Sequence, residues 1–297
     1  MAQSSNKKKY IVSAGIVAIV IGALVAINQF VFTTPDTMKT PTVAAASQNG
    51  RKLLFSDEFS GNKVDESKWN YCYDRYSYKY SGCTNYGNSE NEWYLQSQVT
   101  QGAGNLILAA DRQKTTGDNR NGSEQDYAYR SGMVSTGAKD DKTSAKWDGL
   151  YGYYEARILV PAGQAVWPAF WLLPTDRDWP PEIDIMEILG QKPHDVLYTY
   201  HWKKPDGTVA QDSSTKTLEK STSDSWHTYA VNWQPGKLEW YTDGVLTKTT
   251  DSANVPSKRM QIIMNLAVGG TLPGEIDDTT PKKAVMLVDY VRVYDKK

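Results

Sequence analysis

Short runs in which every second residue is apolar recur between residues 53 and 294, and turn residues separate them. Successive side chains of an extended strand point to opposite faces, so this period predicts strands with one buried face. Near the C-terminus, residues 227–233, 237–242 and 245–249 form a predicted three-stranded meander, with Pro-Gly and Asp-Gly turns between the strands. No comparable helical period occurs in this region. The sequence therefore predicts an all-β domain of two packed antiparallel sheets, a sandwich or jelly roll.

The N-terminus carries a different pattern. Three lysines at 7–9 precede residues 11–32, which contain no charged residue. Such a run is long enough to span a bilayer, and its positive flank is expected to stay cytoplasmic. Small residues at 43–47 offer a cleavage site, so a cleaved signal and a membrane anchor both stay open, and either predicts an extracellular or cell-surface domain. The predicted domains are a signal peptide or signal-anchor helix (1–32), a flexible tether (33–50) and a folded domain (51–297).

Charge and cysteine content narrow the classes of partner. The formal net charge of -1 gives no broad basic surface, so nucleic-acid binding is not expected, and membrane contact is expected only through the N-terminal segment. Cys72 and Cys83 are the only cysteines, and in an exported chain they predict a disulfide, with two free thiols as the alternative. The three histidines are scattered and show no zinc-binding spacing. We expect a monomer.

Three acids, Glu182, Asp184 and Glu187, lie within an otherwise apolar run that has the pattern of a strand. Glu182 and Asp184 share one face of an extended strand, and a single bulge near Ile185 or Met186 would return Glu187 to that face. Mutual repulsion and partial burial would then move their pKa values apart, so that one acid stays ionised while another holds a proton. This arrangement is typical of glycosidases. A solvated acidic edge strand is the alternative, which the intervening apolar residues disfavour.

The run Glu182-Ile183-Asp184-Ile185-Met186-Glu187 resembles the motif of glycoside hydrolase family 16, in the bulged form of its laminarinase-like members. Further segments that resemble the family in the same order span most of the predicted domain. They are residues 55–59, 151–157, 167–173, 265–270 and 288–294. One departure is Pro181, where many laminarinase-like sequences have a small residue, and it leaves the substrate subgroup open.

The resemblance implies a concanavalin A-like β-jelly roll with a cleft across its concave sheet, and a retaining double-displacement mechanism. Glu182 would be the nucleophile, Glu187 the acid/base, and Asp184 would orient the nucleophile. No cofactor is expected for catalysis. The implied activity is endo-hydrolysis of β-1,3- or β-1,3/1,4-glucan. A cell-surface transglycosylase and a non-catalytic carbohydrate-binding protein are the alternatives.

The chain has ten Trp and nineteen Tyr against five Phe. These polar rings suit stacking on sugars, although they are also common strand formers. Strand spacing places Trp167 and Trp171 on one face of their predicted strand. In the predicted strand at 260–268, it places Asn265 on the face opposite its apolar neighbours. The resemblance adds the polar loop that contains Asn91 and Glu92, and the cleft histidine His201. For each of them, a purely structural role is the alternative. The predicted substrate-binding residues are Asn91, Glu92, Arg130, Trp167, Trp171, Trp179, His201 and Asn265.

Asp289 shares its strand face with Leu287, Val291 and Val293, and an unpaired buried carboxylate is costly. It therefore needs a partner. The resemblance implies a structural Ca²⁺ on the convex side with Asp289 as a ligand. A salt bridge would satisfy the carboxylate equally well.

Overall fold

A computed structural model describes residues 50–72, 84–85, 87–119, 122–140 and 142–296 of the chain. All of them belong to one compact unit, Pro41–Lys297. The predicted signal or anchor segment and nearly all of the predicted tether lie outside the described residues. Cys72 is in a disulfide, whereas its predicted partner Cys83 lies outside the described residues. Across the described part, none of the helical segments has the length and apolar character needed to cross a bilayer.

The described residues form strands joined by loops, with one 3₁₀ turn at Gln96–Gln98. In chain order the strands are β1 (Leu53–Asp57), β2 (Glu92–Tyr94), β3 (Val99–Gly102), β4 (Asn105–Asp111), β5 (Thr115–Asp118), β6 (Glu124–Tyr127), β7 (Tyr129–Ser131), β8 (Met133–Ser135), β9 (Gly152–Leu159), β10 (Val166–Pro174), β11 (Glu182–Glu187), β12 (Asp195–Lys203), β13 (Val209–Thr217), β14 (His227–Gln234), β15 (Lys237–Thr242), β16 (Val245–Asp251), β17 (Met260–Val268) and β18 (Lys283–Tyr294).

Within these ranges the strands divide into two large sheets and one hairpin, β5–β6. The first sheet runs in the order β16-β15-β14-β9-β18-β4-β7-β2, with β1 beside β18 and β3 beside β4. The second has the order β13-β12-β11-β10-β17-β8. The predicted meander is confirmed, because β14 pairs antiparallel with β15 and β15 with β16.

The two sheets share one apolar core. Tyr154 and Ile158 of β9 meet Phe170 and Leu172 of β10 there, and all four side chains are fully buried. Alternation along each strand explains this, because side chains two apart point the same way. The predicted all-β sandwich is therefore confirmed.

Strand β10 has apolar side chains on both of its faces. Every one of its residues is buried, but Trp167 and Trp171 belong to small clusters on the face opposite the main core. A central strand covered on both faces has a continuous apolar sequence, which is what this segment shows. The outer face of the six-stranded sheet is therefore where aromatic side chains are available to a ligand.

Candidate active site

The face of the six-stranded sheet that points away from the core carries an open cleft of about 650 Å³. Strands β10 to β13 supply its floor, and Leu272, in the loop after β17, lies at its edge. A smaller recess shares several of its lining residues. Eight residues predicted from the sequence line these two spaces. They are Trp167, Trp171, Trp179, Glu182, Asp184, Glu187, His201 and Asn265.

The bulge predicted in β11 is present and brings the three acids to one face. Asp184 pairs with Thr199 of β12 and Glu187 with Leu197, so three steps along β11 match two along β12. The pairing with β10 shifts at the same place. The indole N–H of Trp240, from the opposite sheet, donates to the backbone carbonyl of Asp184 at 2.9 Å. A side chain of the core thus fixes the backbone where the strand departs from regular pairing.

Glu187 lies in a polar pocket at the base of the cleft. Its Oε1 accepts a hydrogen bond from the indole N–H of Trp167 at 3.2 Å, and its Oε2 accepts one from the Thr199 hydroxyl at 3.4 Å. Burial and the negative charge of Glu182 raise the pKa of Glu187 to about 7. Removal from water disfavours the charged carboxylate, and a nearby anion disfavours it further. Glu187 can therefore carry a proton at neutral pH.

Asp184 is the most enclosed of the three acids, with 4% of its surface exposed. Burial raises its pKa well above the ordinary value, and the charge of Glu187 adds to the effect. Its carboxyl group is hydrogen-bonded to that of Glu182, which requires the pair to share a proton.

Glu182 stands at the more open end of the trio. The indole N–H of Trp179 donates to its Oε2 at 2.7 Å, and His201 Nε2 lies 3.8 Å from its Oε1. Trp179 is 37% exposed, so its ring remains available to a ligand while its N–H orients the carboxylate. The sequence predicts Trp179 as a substrate-binding residue, and the structure places its indole N–H on Glu182.

Trp171 and Asn265 form part of a hydrogen-bonded wall. The Trp171 indole N–H donates to Asn265 Oδ1 at 2.8 Å, and Asn265 Nδ2 donates to the Tyr94 hydroxyl at 2.9 Å. Trp167 and Trp171 are only 8% and 7% exposed, so each presents a narrow part of its ring to the cleft. Tyr94 was not among the predicted residues.

The loop before β2 differs from the sequence prediction. Glu92 is fully enclosed, and its Oε2 accepts a hydrogen bond from the backbone N–H of Val268 at 2.8 Å. Asn91 Nδ2 donates to the Ser89 carbonyl at 3.5 Å, and neither Asn91 nor Glu92 lines the cleft. Glu90 does line the smaller recess. Residues two apart in an extended segment share a face, so the sequence pattern could not separate Glu90 from Glu92.

Glu90 and Glu92 form a buried pair behind this wall. Burial raises the pKa of Glu90, and burial together with the charge of Glu90 raises the pKa of Glu92 well above its ordinary value. Hydrogen bonds from Asn88 Nδ2 at 3.1 Å and the Tyr94 hydroxyl at 3.4 Å reach Glu90. The pair therefore ties the loop to the cleft wall.

Arg130 is placed differently from its prediction as a substrate contact. Its guanidinium bonds the Gln113 side chain, and it is absent from the described lining of the cleft. It sits on β7, next to Asp111 of β4 in the first sheet. The contact described for its side chain therefore lies outside the cleft.

Asp289 has the partner that its burial requires. Arg157 Nη1 lies 2.8 Å from its Oδ2, and the two side chains are 14% and 10% exposed. Ca²⁺ needs about six to eight oxygen ligands, and a guanidinium bound to the same carboxylate repels a divalent cation. These contacts match the salt bridge that the sequence left open and do not fit the implied calcium site.

We expect Arg157→Met to lower the free energy of unfolding by about 3 kcal/mol, because it leaves a buried carboxylate without its partner. Chelation of calcium by EGTA should leave the melting temperature of the parent chain unchanged. Urea unfolding and thermal melts with and without EGTA check both statements. Marked destabilisation by EGTA that Asp289→Asn abolishes would instead support the calcium ligand.

Comparison with known proteins agrees with this geometry. Residues 85–292 match the family described as glycosyl hydrolases family 16. The chain is 33% identical over 223 residues to an endo-1,3-1,4-beta-glycanase of Rhizobium meliloti (strain 1021), covering 72% of this chain and 45% of that protein. It is 33% identical over 281 residues to glucan endo-1,3-beta-glucosidase A1 of Niallia circulans, covering 86% of this chain and 39% of that protein.

Among solved structures, the endo-beta-1,3-glucanase from Pyrococcus furiosus is similar in fold with a TM-score of 0.69 and 31% identity, over 83% of this chain and 96% of that one. The chain belongs to glycosyl hydrolase family 16. It spans less than half the length of the two curated relatives above. The whole-protein activities of those relatives are therefore carried over only as a proposal.

Proposed function

We propose that the chain is a retaining endo-acting β-glucan hydrolase of β-1,3- or β-1,3/1,4-linked glucan. The observation that carries this proposal is the bulged β11, which aligns Glu182 and Glu187 on the floor of an open cleft. The pKa of Glu187 near 7 gives it a proton to donate, and the charge of Glu182 contributes to that pKa. A proton donor beside an ionised carboxylate is the pair that retaining hydrolysis requires.

In the first step, a Glu182 carboxylate oxygen attacks the anomeric carbon while Glu187 transfers its proton to the departing glycosidic oxygen. The glycosidic bond breaks, and a glycosyl ester on Glu182 forms. Asp184, more buried than Glu182, holds the proton that the two share and keeps the negative charge on Glu182. Trp179 fixes the other oxygen of Glu182 through its indole N–H.

In the second step, Glu187 is ionised and accepts a proton from an incoming water molecule. The water oxygen attacks the anomeric carbon, the ester bond breaks, and the Glu182 carboxylate is released. Glu187 ends the cycle protonated, ready for another turn. Two inversions at the same carbon return the original β configuration.

A neutral β-glucan is supported by the lining of the cleft. None of the described lining residues is Lys or Arg, so the cleft lacks the cations that suit a sulfated polysaccharide. The relatives named above are an endo-1,3-1,4-beta-glycanase, a glucan endo-1,3-beta-glucosidase and an endo-beta-1,3-glucanase, and an open cleft suits an internal stretch of chain. Partly exposed indole rings offer faces for sugar stacking.

We also propose that the domain works outside the cytoplasm. The lysines at 7–9 and the uncharged run at 11–32 match a signal or anchor segment. The disulfide at Cys72 supports this location, since disulfides persist in oxidising compartments.

The test is release of reducing ends from soluble β-1,3-glucan and from mixed-linkage β-glucan by the purified full-length chain. We expect a mixture of oligosaccharides from the start of the reaction, because an endo-acting enzyme cuts internal bonds. A second reaction contains a β-glucan oligosaccharide as an acceptor. Products longer than that oligosaccharide would identify a transglycosylase. Tight glucan binding without product would identify a carbohydrate-binding protein and contradict the hydrolase.

A further inference from the structure

Three side chains in the cleft are arranged as a metal ion would require, although no part of the proposed reaction uses a metal. Glu182, Asp184 and His201 each offer one ligand atom, and these atoms lie within 4.8 Å of one another. His201 Nε2 is 3.4 Å from Asp184 Oδ2 and 3.8 Å from Glu182 Oε1. Two carboxylates and an imidazole are a mixed oxygen and nitrogen donor set, which suits first-row transition ions.

Asp184 Oδ2 is the observation that separates this trio from an ordinary acidic cluster. The atom is buried and has no hydrogen-bond partner, although it faces His201 Nε2 at 3.4 Å. A buried carboxylate oxygen without a partner is costly, so a cation between the two atoms would relieve that cost.

The distances also fit one particular geometry. In a tetrahedral zinc site with bonds near 2.1 Å, neighbouring ligand atoms stand about 3.4 Å apart. The two separations from His201 Nε2 are 3.4 and 3.8 Å, and all three ligand atoms lie within 4.8 Å of one another. The cleft side of the trio is open, which leaves a fourth position for water.

The surrounding contacts hold the ligands in place. Trp179 donates to Glu182 Oε2, which leaves Oε1 turned toward His201. Tryptophan N–H groups cannot accept a metal, so Trp179 acts only by orienting the carboxylate. The separation of His201 Nε2 from Asp184 Oδ2 already has the size that a bound ion requires.

We infer that the cleft binds Zn²⁺ through His201 Nε2, Asp184 Oδ2 and Glu182 Oε1. Both carboxyl groups must be ionised to act as ligands, so binding releases to solvent the proton that they share. A bound ion would occupy the carboxylate that the proposed reaction uses as nucleophile, so Zn²⁺ and glucan would exclude each other. The inference concerns binding and goes beyond the proposed activity. It identifies Zn²⁺ as an inhibitory ligand and assigns it no part in turnover.

The experiment is isothermal titration of zinc chloride into the purified full-length chain, with His201→Gln and His194→Gln as a matched pair. His194 is exposed, and the hydrogen bond described for its ring is to the Leu218 carbonyl, so its loss tests surface binding. We expect one-to-one binding by the parent and by His194→Gln, weakened at least about 10-fold in His201→Gln. Mg²⁺ should give no such binding, since it prefers oxygen ligands alone.

Binding of equal strength in His201→Gln, or no saturable binding up to about 1 mM, would overturn the inference. If His201→Gln is misfolded by circular dichroism, X-ray absorption of the zinc-loaded parent decides instead. A shell of one imidazole and oxygen atoms supports the site, and a shell without imidazole contradicts it. Neither readout depends on hydrolysis. Zinc binding can therefore fail while the proposed hydrolase activity stands, and hydrolysis can fail while zinc binding stands.

Discussion

Glu182→Gln should lower β-glucan hydrolysis by on the order of 10⁴-fold or more, as removal of a nucleophile does in other covalent enzymes. Glutamine has nearly the same shape, and its side-chain amide cannot form the glycosyl ester that the reaction requires. In the parent, the Trp179 indole N–H donates to Glu182 Oε2 at 2.7 Å. The side-chain oxygen of glutamine can accept the same hydrogen bond. Initial rates of reducing-end release, measured against the parent at the same enzyme concentration, check the prediction.

Two comparisons make this result specific to the reaction. Glu219→Gln removes an exposed glutamate outside the cleft and should retain full activity. Binding of a β-1,3-glucan oligosaccharide to Glu182→Gln should remain, because the indole and amide groups of the cleft are unchanged. If Glu182→Gln hydrolysed glucan at a rate within a few-fold of the parent, the nucleophile would have to be another residue.

The fold could be predicted from the sequence because its signals are local. Alternating runs such as 227–233 and 237–242 define strands whose faces are decided by burial, and the turns between them fix the pairing. The order of strands in the sheets could not be derived in the same way. Strand β18 lies between β9 and β4, which are far from it in the chain, and no local pattern records such pairing.

The catalytic strand was predictable for a related reason. Three acids in an apolar strand reach a common face only with one extra residue, so the sequence required the bulge that β11 contains. The sequence could not give the contacts that set the chemistry of each acid. The Trp167 bond to Glu187 joins two neighbouring strands, and the Trp179 bond to Glu182 depends on the backbone path of the two residues between them, which a strand pattern does not record.

The loop before β2 and the start of that strand contain acidic residues whose contacts could not be predicted from the sequence. Glu90 and Glu92 are both acidic and both buried, and the tertiary fold decides that Glu92 bonds the Val268 backbone N–H while Glu90 lines the recess beside the cleft. Arg130 is a second example, because its side chain bonds Gln113 in the loop after β4, and the sequence does not record this contact. Polar residues near a cleft are therefore harder to assign than acids within an apolar strand.

The pH dependence of hydrolysis should follow Glu187. Burial and the charge of Glu182 raise its pKa to about 7, and the first step needs its protonated form. Protonated Glu187 predominates below that pH and is lost as the pH rises through it, so kcat/KM should fall above about pH 7. A profile of kcat/KM on soluble β-glucan checks this, and an alkaline limb that begins below pH 5 would contradict the assignment.

Glu187→Ala should lower hydrolysis of the polysaccharide by roughly 10²- to 10⁴-fold, the usual contribution of a general acid. The loss should be much smaller in the first step for an aryl β-glucoside oligomer with a good leaving group, because a phenolate departs without a proton. The alkaline fall near pH 7 should also disappear, since no other described group in the cleft takes over the proton. Rates on both substrates, measured across pH for parent and variant, separate this role from a structural one. A uniform loss on both substrates with an unchanged pH profile would mean that Glu187 supports the cleft without donating the proton.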